Sequence, residues 1–579
     1  MRASAFQPIM FCCLLAAAGI VAPGSLRGGS GPGDDPRALR RICSQRLLSR
    51  LDTAGSGETL AVWIFLRDRA DADERRFTAR ETARRALRGS SARDERDVPV
   101  DRAAIDLLRP RVLRIRHASR YFNAVSADVR VGALAAIAAE PFVRRIDFVA
   151  AARAPLDPVG DTFQPPSRGG ARPAASADEY GPSRCQLEQI GAAALLERGI
   201  NGSGAAGGTS QILVAILDSG FRLDHEALRH VDVEAQWDFI QNDSVTSDEP
   251  GDPVSQDRHG TTVLGVIAGR SDGALAGPAW GARFLLAKTE MIDREIPIEE
   301  DHWVAGIEWA DSAGADIVTS SLGYYDWYSP GDLDGETALC TRAADIAASR
   351  GVIVVNSAGN RGTAGLVAPA DGNGVMAVGA VDCGGEIAYF SSRGPTADGR
   401  IKPDFVAMGY AVQSVAHPDT AGFARYNGTS YAAPLVAGIC AQLLETHPSW
   451  DPAKMHSALR ATASRSGFPD NTYGYGTPNA ALAAQWPASF SASAPVPNPF
   501  SGETRLQFVS PKLAPVTVRV YDCRGALVRV LADGRPANET WSVSWDGTNE
   551  AGRRVASGVY FIVASSIELA VRVKAIHVR

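Results

Sequence analysis

Cysteine is scarce in this chain of 579 residues: there are eight, at positions 12, 13, 43, 185, 340, 383, 440 and 523. None forms a CxxC pair with zinc-site spacing, which argues against a structural zinc. A strong charge of one sign is missing too. The formal net charge is −6, with no basic excess to point to nucleic acid as a partner. Beyond the N-terminal stretch from Ile9 to Ala22, no apolar run is long enough to span a membrane. Disorder is not the default either, because hydrophobic residues make up 45% of the chain and charged residues 21%. The length exceeds one compact domain and predicts two to four.

What is present is unevenly distributed. Arg2 followed by the apolar stretch Ile9 to Ala22, then Pro23 and Gly24, has the shape of a secretory signal, assigned to 1–24. Between Arg37 and Arg153 there are 25 Arg and Lys against 15 Asp and Glu, which leaves −16 for the residues from Ala154 on. A basic front segment facing an acidic remainder predicts mutual attraction, weakened by salt. Export would permit disulfides, with the pairing left open by spacing alone. Cys440, in an apolar helical run, reads as a core residue.

Four regions follow the signal. In 37–155, TLAVWIFLRD (59–68) reads as a strand apolar on both faces. A charged helical stretch follows, then two strands around Phe122-Asn123, a short Ala-rich helix stopped by Pro141, and a strand over 142–149. Residues 156–180 are rich in Pro, Gly, Ala and Ser and form a linker. In 181–487, uniformly apolar runs at 212–217, 284–287, 316–318, 352–355 and 375–381 alternate with helices. This predicts an α/β fold with a mostly parallel sheet covered on both faces. After a Pro-rich joint at 495–500, residues 498–579 carry short alternating strands with turns such as Asp546-Gly547, an all-β sandwich.

Three segments carry chemistry. Asp218 ends the buried strand VAILD, His259 opens an apolar helix running to Gly269, and Ser430 enters a helix that continues to about Leu444. Singly, an Asp before Ser-Gly is a turn residue and a Ser before a helix is an N-cap. Together, an acid, a base and a nucleophile on these elements in the order Asp, His, Ser make a serine-hydrolase triad.

The contexts Val214–Gly220, His259-Gly260-Thr261-Thr262-Val263 and Gly428-Thr429-Ser430-Tyr431-Ala432-Ala433-Pro434, with Phe390–Pro395 and Tyr473–Gly476, resemble the subtilisin-like (subtilase) serine peptidase family over residues 181–487. The resemblance implies a subtilisin-like fold and a serine endopeptidase acting on polypeptides through an acyl-enzyme. It gives Asn360 of Ala358-Gly359-Asn360 the role of side-chain donor to the oxyanion. It places Ser321, Leu322, Gly323, Ala358 and Gly359 around the pocket for the residue before the cut, with Arg361 at its rim. These small walls suggest an apolar or aromatic side chain in the pocket, and the Arg361 cation a bias against Lys and Arg. Two positions depart from the family pattern: Thr262 stands where a second His is common, and Tyr431 where Met is frequent.

The 37–155 unit resembles the family's inhibitory propeptide, through Tyr121–Ala127 and the strand after Pro141. The last region resembles Ig-like and sorting modules, through Pro497–Phe500, Trp545-Asp546-Gly547 and Ala556–Tyr560, which implies contact with secretion machinery and a secreted or cell-surface location. No cofactor is required for the chemistry. Structural calcium occurs in the family, but no acidic run, including Glu299-Glu300-Asp301, has ligand spacing. The glycine-rich 202–208 precedes a strand instead of following one, which excludes a phosphate loop. The competing readings are a catalytically silent surface-binding protein and a processing enzyme with a single partner substrate.

Overall fold

The structure, a computed structural model, describes residues 36–69, 77–88, 93–149, 179–208, 210–293, 296–486, 491–509, 515–536, 540–566 and 569–578. The expected signal and nearly all of the expected linker lie outside these residues.

The central element is a seven-stranded parallel sheet in the order Phe405–Met408, Val375–Val381, Ile353–Ser357, Ile317–Ser320, Leu213–Asp218, Arg283–Lys288, Asp232–Asp238. Its inner strands are buried along almost their whole length because both faces are covered. Alternate residues of one strand point to opposite sides. Val214 and Ile216 join a core with the helices Arg258–Ala268 and Thr429–Thr446. Leu213, Ala215 and Leu217 join a second core with Ile298–Ala313 and Leu339–Ser349. The edge strand Asp232–Asp238 has no apolar run for a sequence reading to find. It reads DVEAQWD, is half-exposed, and is tied to its neighbour by Arg283 with Asp232 and Glu234.

The N-terminal domain is a four-stranded antiparallel sheet in the order Arg114–Ser119, Ala124–Arg130, Thr59–Leu66, Val143–Phe148. The two apolar faces of Thr59–Leu66 have separate destinations. Leu60, Val62 and Ile64 fill this domain's own core. Trp63 and Phe65, with Tyr121 and Phe122, join the second core of the parallel-sheet domain.

The C-terminal sandwich has a four-stranded sheet, Leu527–Pro536, Pro515–Asp522, Gly558–Ser566 and Leu569–His577, facing Thr504–Val509 and Thr540–Trp545. The short strand Ser491–Ala492 pairs with Thr504–Val509, so this second sheet takes in residues ahead of the Pro-rich joint. Among the described residues no helix is long and apolar enough to cross a membrane.

Cys185 and Cys383 form a disulfide between the helix Arg184–Gln189 and the turn after Val375–Val381. Cys440 is fully buried in the core.

Candidate active site

The parallel sheet delivers Asp218 at the carboxyl end of its strand, where loops and helix starts converge. Asp218 is fully buried, and its Oδ1 accepts from the Ser219 backbone N–H at 2.7 Å. His259 lies in the first turn of Arg258–Ala268, and its Nδ1 is 2.6 Å from Asp218 Oδ1. That bond commits Nδ1–H to the carboxylate and makes Nε2 the basic nitrogen. Gly260 permits the approach. A Cβ there would stand 2.2 Å from the Gly220 carbonyl oxygen and 3.1 Å from Asp218 Cβ.

A second His–Asp pair steadies the same helix start. His417 Nε2 lies 2.7 Å from Asp257 Oδ1, and Asp257 also accepts from the Asp248 N–H through Oδ2. Only the fold brings His417 there, from 160 residues away in the chain.

Ser430 sits in the first turn of the buried helix Thr429–Thr446, which follows Gly428 at φ +151°. Pro434 lies inside this helix and has no N–H to give the carbonyl four residues back. That carbonyl belongs to Ser430, and the Ser321 hydroxyl donates to it at 2.7 Å. The Ser430 hydroxyl in turn donates to the Ser321 carbonyl at 3.2 Å. The nucleophile and the Ser321-Leu322-Gly323 wall are thus bound to each other in both directions.

Asn360 stands beside this helix start. Its Oδ1 accepts from the Thr429 N–H at 2.9 Å and from the Thr429 hydroxyl at 3.0 Å. Holding the oxygen end fixes the amide and turns its NH2 end away from Thr429. Ala358 and Gly359 follow the strand Ile353–Ser357 and are pinned by Ala358 N–H to Val378 O and Ser392 N–H to Gly359 O, both 2.9 Å. Arg361 lies next to this wall. Its guanidinium is 4.0 Å from the centroid of the Tyr325 ring, and Nη1 is 3.4 Å from Leu366 O. Its charge is therefore held by that ring and carbonyl.

The two departures from the family pattern touch each other. Tyr431 is fully buried, stacked on Tyr426, and its hydroxyl lies 3.3 Å from Thr262 Oγ1. Thr262 also donates to the His259 carbonyl at 2.8 Å. The pair packs behind the imidazole, with the Tyr431 ring centroid 6.1 Å from that of His259.

The acids that could suggest calcium are otherwise engaged. Glu299 accepts from the N–H groups of Met291 and Ile296, and Glu300 from Trp327, Tyr328 and the Cys340 N–H. Asp301 faces the N-terminal domain, 2.6 Å from Trp63 Nε1 and 3.0 Å from Arg116 Nη2. Among the described residues one acidic group, Asp238, Asp243 and Glu249, brings carboxylate oxygens within 4.8 Å of one another. The buried Lys288 ammonium lies 2.7 Å from Asp238 and already supplies a positive charge there.

The N-terminal domain docks on the helices Ile298–Ala313 and Leu339–Ser349 through buried ion pairs. Asp311 is surrounded by Arg84, Arg120 at hydrogen-bond distance and Arg350 at 3.9 Å, and it accepts from the Tyr121 hydroxyl at 2.8 Å. Burial alone would raise its pKa, but Arg120, Arg84 and Arg350 outweigh burial and hold the carboxyl well below the usual range. Asp316 pairs with Arg80 and Arg88. In the reverse sense, Arg350 pairs with Asp94 and Asp97. The attraction expected from net charge is present, but most of it is dry. Screening by salt is weak for buried pairs, so the expected salt-sensitive grip gives way to a short-range one.

Comparison with known proteins adds three matches. Residues 209–476 match the subtilase family, residues 61–160 the peptidase S8 propeptide domain of Bacteroidota, and residues 497–568 the FlgD Ig-like domain. Subtilisin E of Bacillus subtilis is 34% identical over 304 residues, covering 52% of this chain and 70% of that protein. The subtilisin of Bacillus pumilus is 34% identical over 304 residues and 98% of its length. Subtilisin Savinase of Lederbergia lenta is 32% identical over 302 residues and 97% of its length. A parallel-sheet domain of this geometry, matched across most of the length of several subtilisins, places the chain in the subtilase family as a subtilisin-like serine endopeptidase with a propeptide domain.

Proposed function

We propose that the protein is a secreted endopeptidase that works through Asp218, His259 and Ser430 and is made as a self-inhibited precursor. The observation that carries this reading is the 2.6 Å contact of His259 Nδ1 with the buried Asp218 carboxylate. It leaves a basic Nε2 on the imidazole that the Asp, His, Ser order pairs with Ser430. Ser430 Oγ attacks the carbonyl carbon of the scissile bond while its proton passes to His259 Nε2. Asp218 holds the tautomer and stabilises the imidazolium. The oxyanion takes hydrogen bonds from the Asn360 NH2 and the Ser430 N–H at the helix N-terminus. The C–N bond breaks as His259 returns the proton to the leaving amine. Water then attacks the acyl-enzyme by the same route, releasing the acid and restoring the serine.

The substrate backbone lies between Ser321-Leu322-Gly323 and Ala358-Gly359. The docked N-terminal domain is the inhibitor, and maturation cuts the chain between about Ala150 and Gly181. The N-terminal signal directs export, and the C-terminal sandwich determines where the exported protein is retained. No cofactor enters the chemistry.

The test is a fluorophosphonate probe with a peptide assay on wild type and Ser430→Ala. Wild type should be labelled, cut itself and hydrolyse peptides. Ser430→Ala should remain an uncut, folded precursor with turnover lower by several orders of magnitude. Near-normal hydrolysis by purified Ser430→Ala would overturn the assignment.

A further inference from the structure

The two segments that flank the nucleophile each present a glycine, Gly323 on one side and Gly359 on the other. Two bare glycines facing each other would leave an open slot for a substrate side chain. Here the slot is filled by Val367. A Cβ built on Gly323 would stand 2.2 Å from Val367 Cγ2, and one built on Gly359 would stand 2.9 Å from Val367 Cγ1. One isopropyl group therefore packs against both glycines, one methyl to each wall. Val367 is only 4% exposed.

The isopropyl group has little freedom to retreat. Its backbone is held by Tyr324 N–H to Ala368 O at 2.8 Å, Ala368 N–H to Tyr324 O at 2.9 Å and Ala370 N–H to Val367 O at 2.9 Å. A β-branched side chain is also stiff about its first torsion.

We infer that Val367 is the specificity-determining residue of this peptidase and restricts the position before the cut to side chains the size of Gly, Ala or Ser. The inference rests on the peptidase reading above, which places the substrate between these two walls. It narrows the expectation drawn from the walls alone, since small apolar walls favour a large apolar side chain only when the space between them is empty. A Leu or Phe there must take volume that the Val367 methyls occupy. In an apolar pocket a misfit of one methylene changes rates by about 10- to 200-fold.

The experiment uses the self-processed full chain and a peptide series differing only in Ala, Leu or Phe before the cut. Active sites are titrated with fluorophosphonate. Wild type should favour Ala over Phe by at least about tenfold in kcat/KM. Val367→Gly should reverse or erase that ratio, and Val367→Ala should shift it part of the way. Because ratios are compared within one preparation, a loss of folded enzyme cancels. Wild type cutting Phe or Leu as fast as Ala would overturn the assignment of Val367, as would an unchanged ratio in both variants. A protein that takes up no probe and cuts none of the series would instead overturn the peptidase site itself, and this inference with it.

Discussion

The N-terminal domain and the C-terminal sandwich flank the same peptidase and are joined to it in opposite ways. In the N-terminal domain, Trp63, Phe65, Tyr121 and Phe122 belong to a core that also contains Leu213, Leu217 and Trp303 of the peptidase. The sandwich core is made wholly of its own residues, among them Phe500, Leu506, Phe508, Val518, Trp545 and Ile562. The difference is written in the strands. Leu60 to Leu66 is apolar at every position, so one face must find another domain. In Val516-Thr517-Val518-Arg519-Val520, the valines are buried and Thr517 and Arg519 are half-exposed, so the strand needs no partner. The N-terminal domain is held by a wide apolar face with buried charges on it. Among the described residues the sandwich shares no core cluster with the peptidase.

The sharpest way to break this comparison is at Asp311. Replacing it with Asn leaves Arg84 and Arg120 buried against a neutral group. Removing one partner of a buried ion pair costs about 3–5 kcal/mol. The inhibition constant of the isolated N-terminal domain against the processed peptidase should rise by about two to four orders of magnitude. A change of less than about tenfold would mean that apolar burial alone holds the domain.

Acid should loosen the same interface by a smaller factor. His117 Nε2 lies 2.7 Å from His302 Nδ1 across it, beside Arg114, Arg116 and Asp301. Burial first, then Arg116 and Arg114, pushes His117 down to about 3. Burial first, then His117 and the same arginines, keeps His302 well below its ordinary value. Both are neutral when docked and return to about 6.5 when released. Their contribution is whole above that value and is lost as pH falls below it. Asp301 works the other way. Burial, against Arg116 and the Ser126 hydroxyl, raises it to about 6, so docking gains as it protonates. Glu308, buried against Ser119 and Arg120 of the same interface, is raised by burial as well and works like Asp301. Two protons taken up by the histidines, set against those the two carboxyls lose, leave a net of at most one, so affinity should fall by up to about tenfold per pH unit between about 6 and 4. Binding titrations across that range check it, and affinity that is flat or rises toward acid would contradict the sign.

The smallest effect should come from the other flank. Deleting 488–579 should leave kcat/KM and the peptidase melting transition unchanged, because no core residue is shared among the described residues. Loss of activity in a soluble, folded truncation would show that the sandwich belongs to the catalytic unit.

Much of the fold was legible because burial on both faces writes continuous apolar runs, as at 212–217, 352–355 and 375–381. The strand Asp232–Asp238 was not, because an edge strand with one wet face has no such run. The contact of His259 with Asp218 and the place of Asn360 beside the start of the Ser430 helix were legible because each residue is announced by its immediate neighbours. His417, Lys288 and Val367 were not. Each acts through residues distant in the chain, and nothing next to it in sequence marks it.

The sequence by itself determined the order Asp, His, Ser, the alternation of strands and helices, and the self-sufficient pattern of the C-terminal strands. These depend on local periodicity and on residue types whose chemistry does not change with context. Only the tertiary structure decided which cysteines pair, which acids face the basic domain, and what stands between Gly323 and Gly359. Each of those is a distance between residues far apart in the chain, and it is set by how the layers pack.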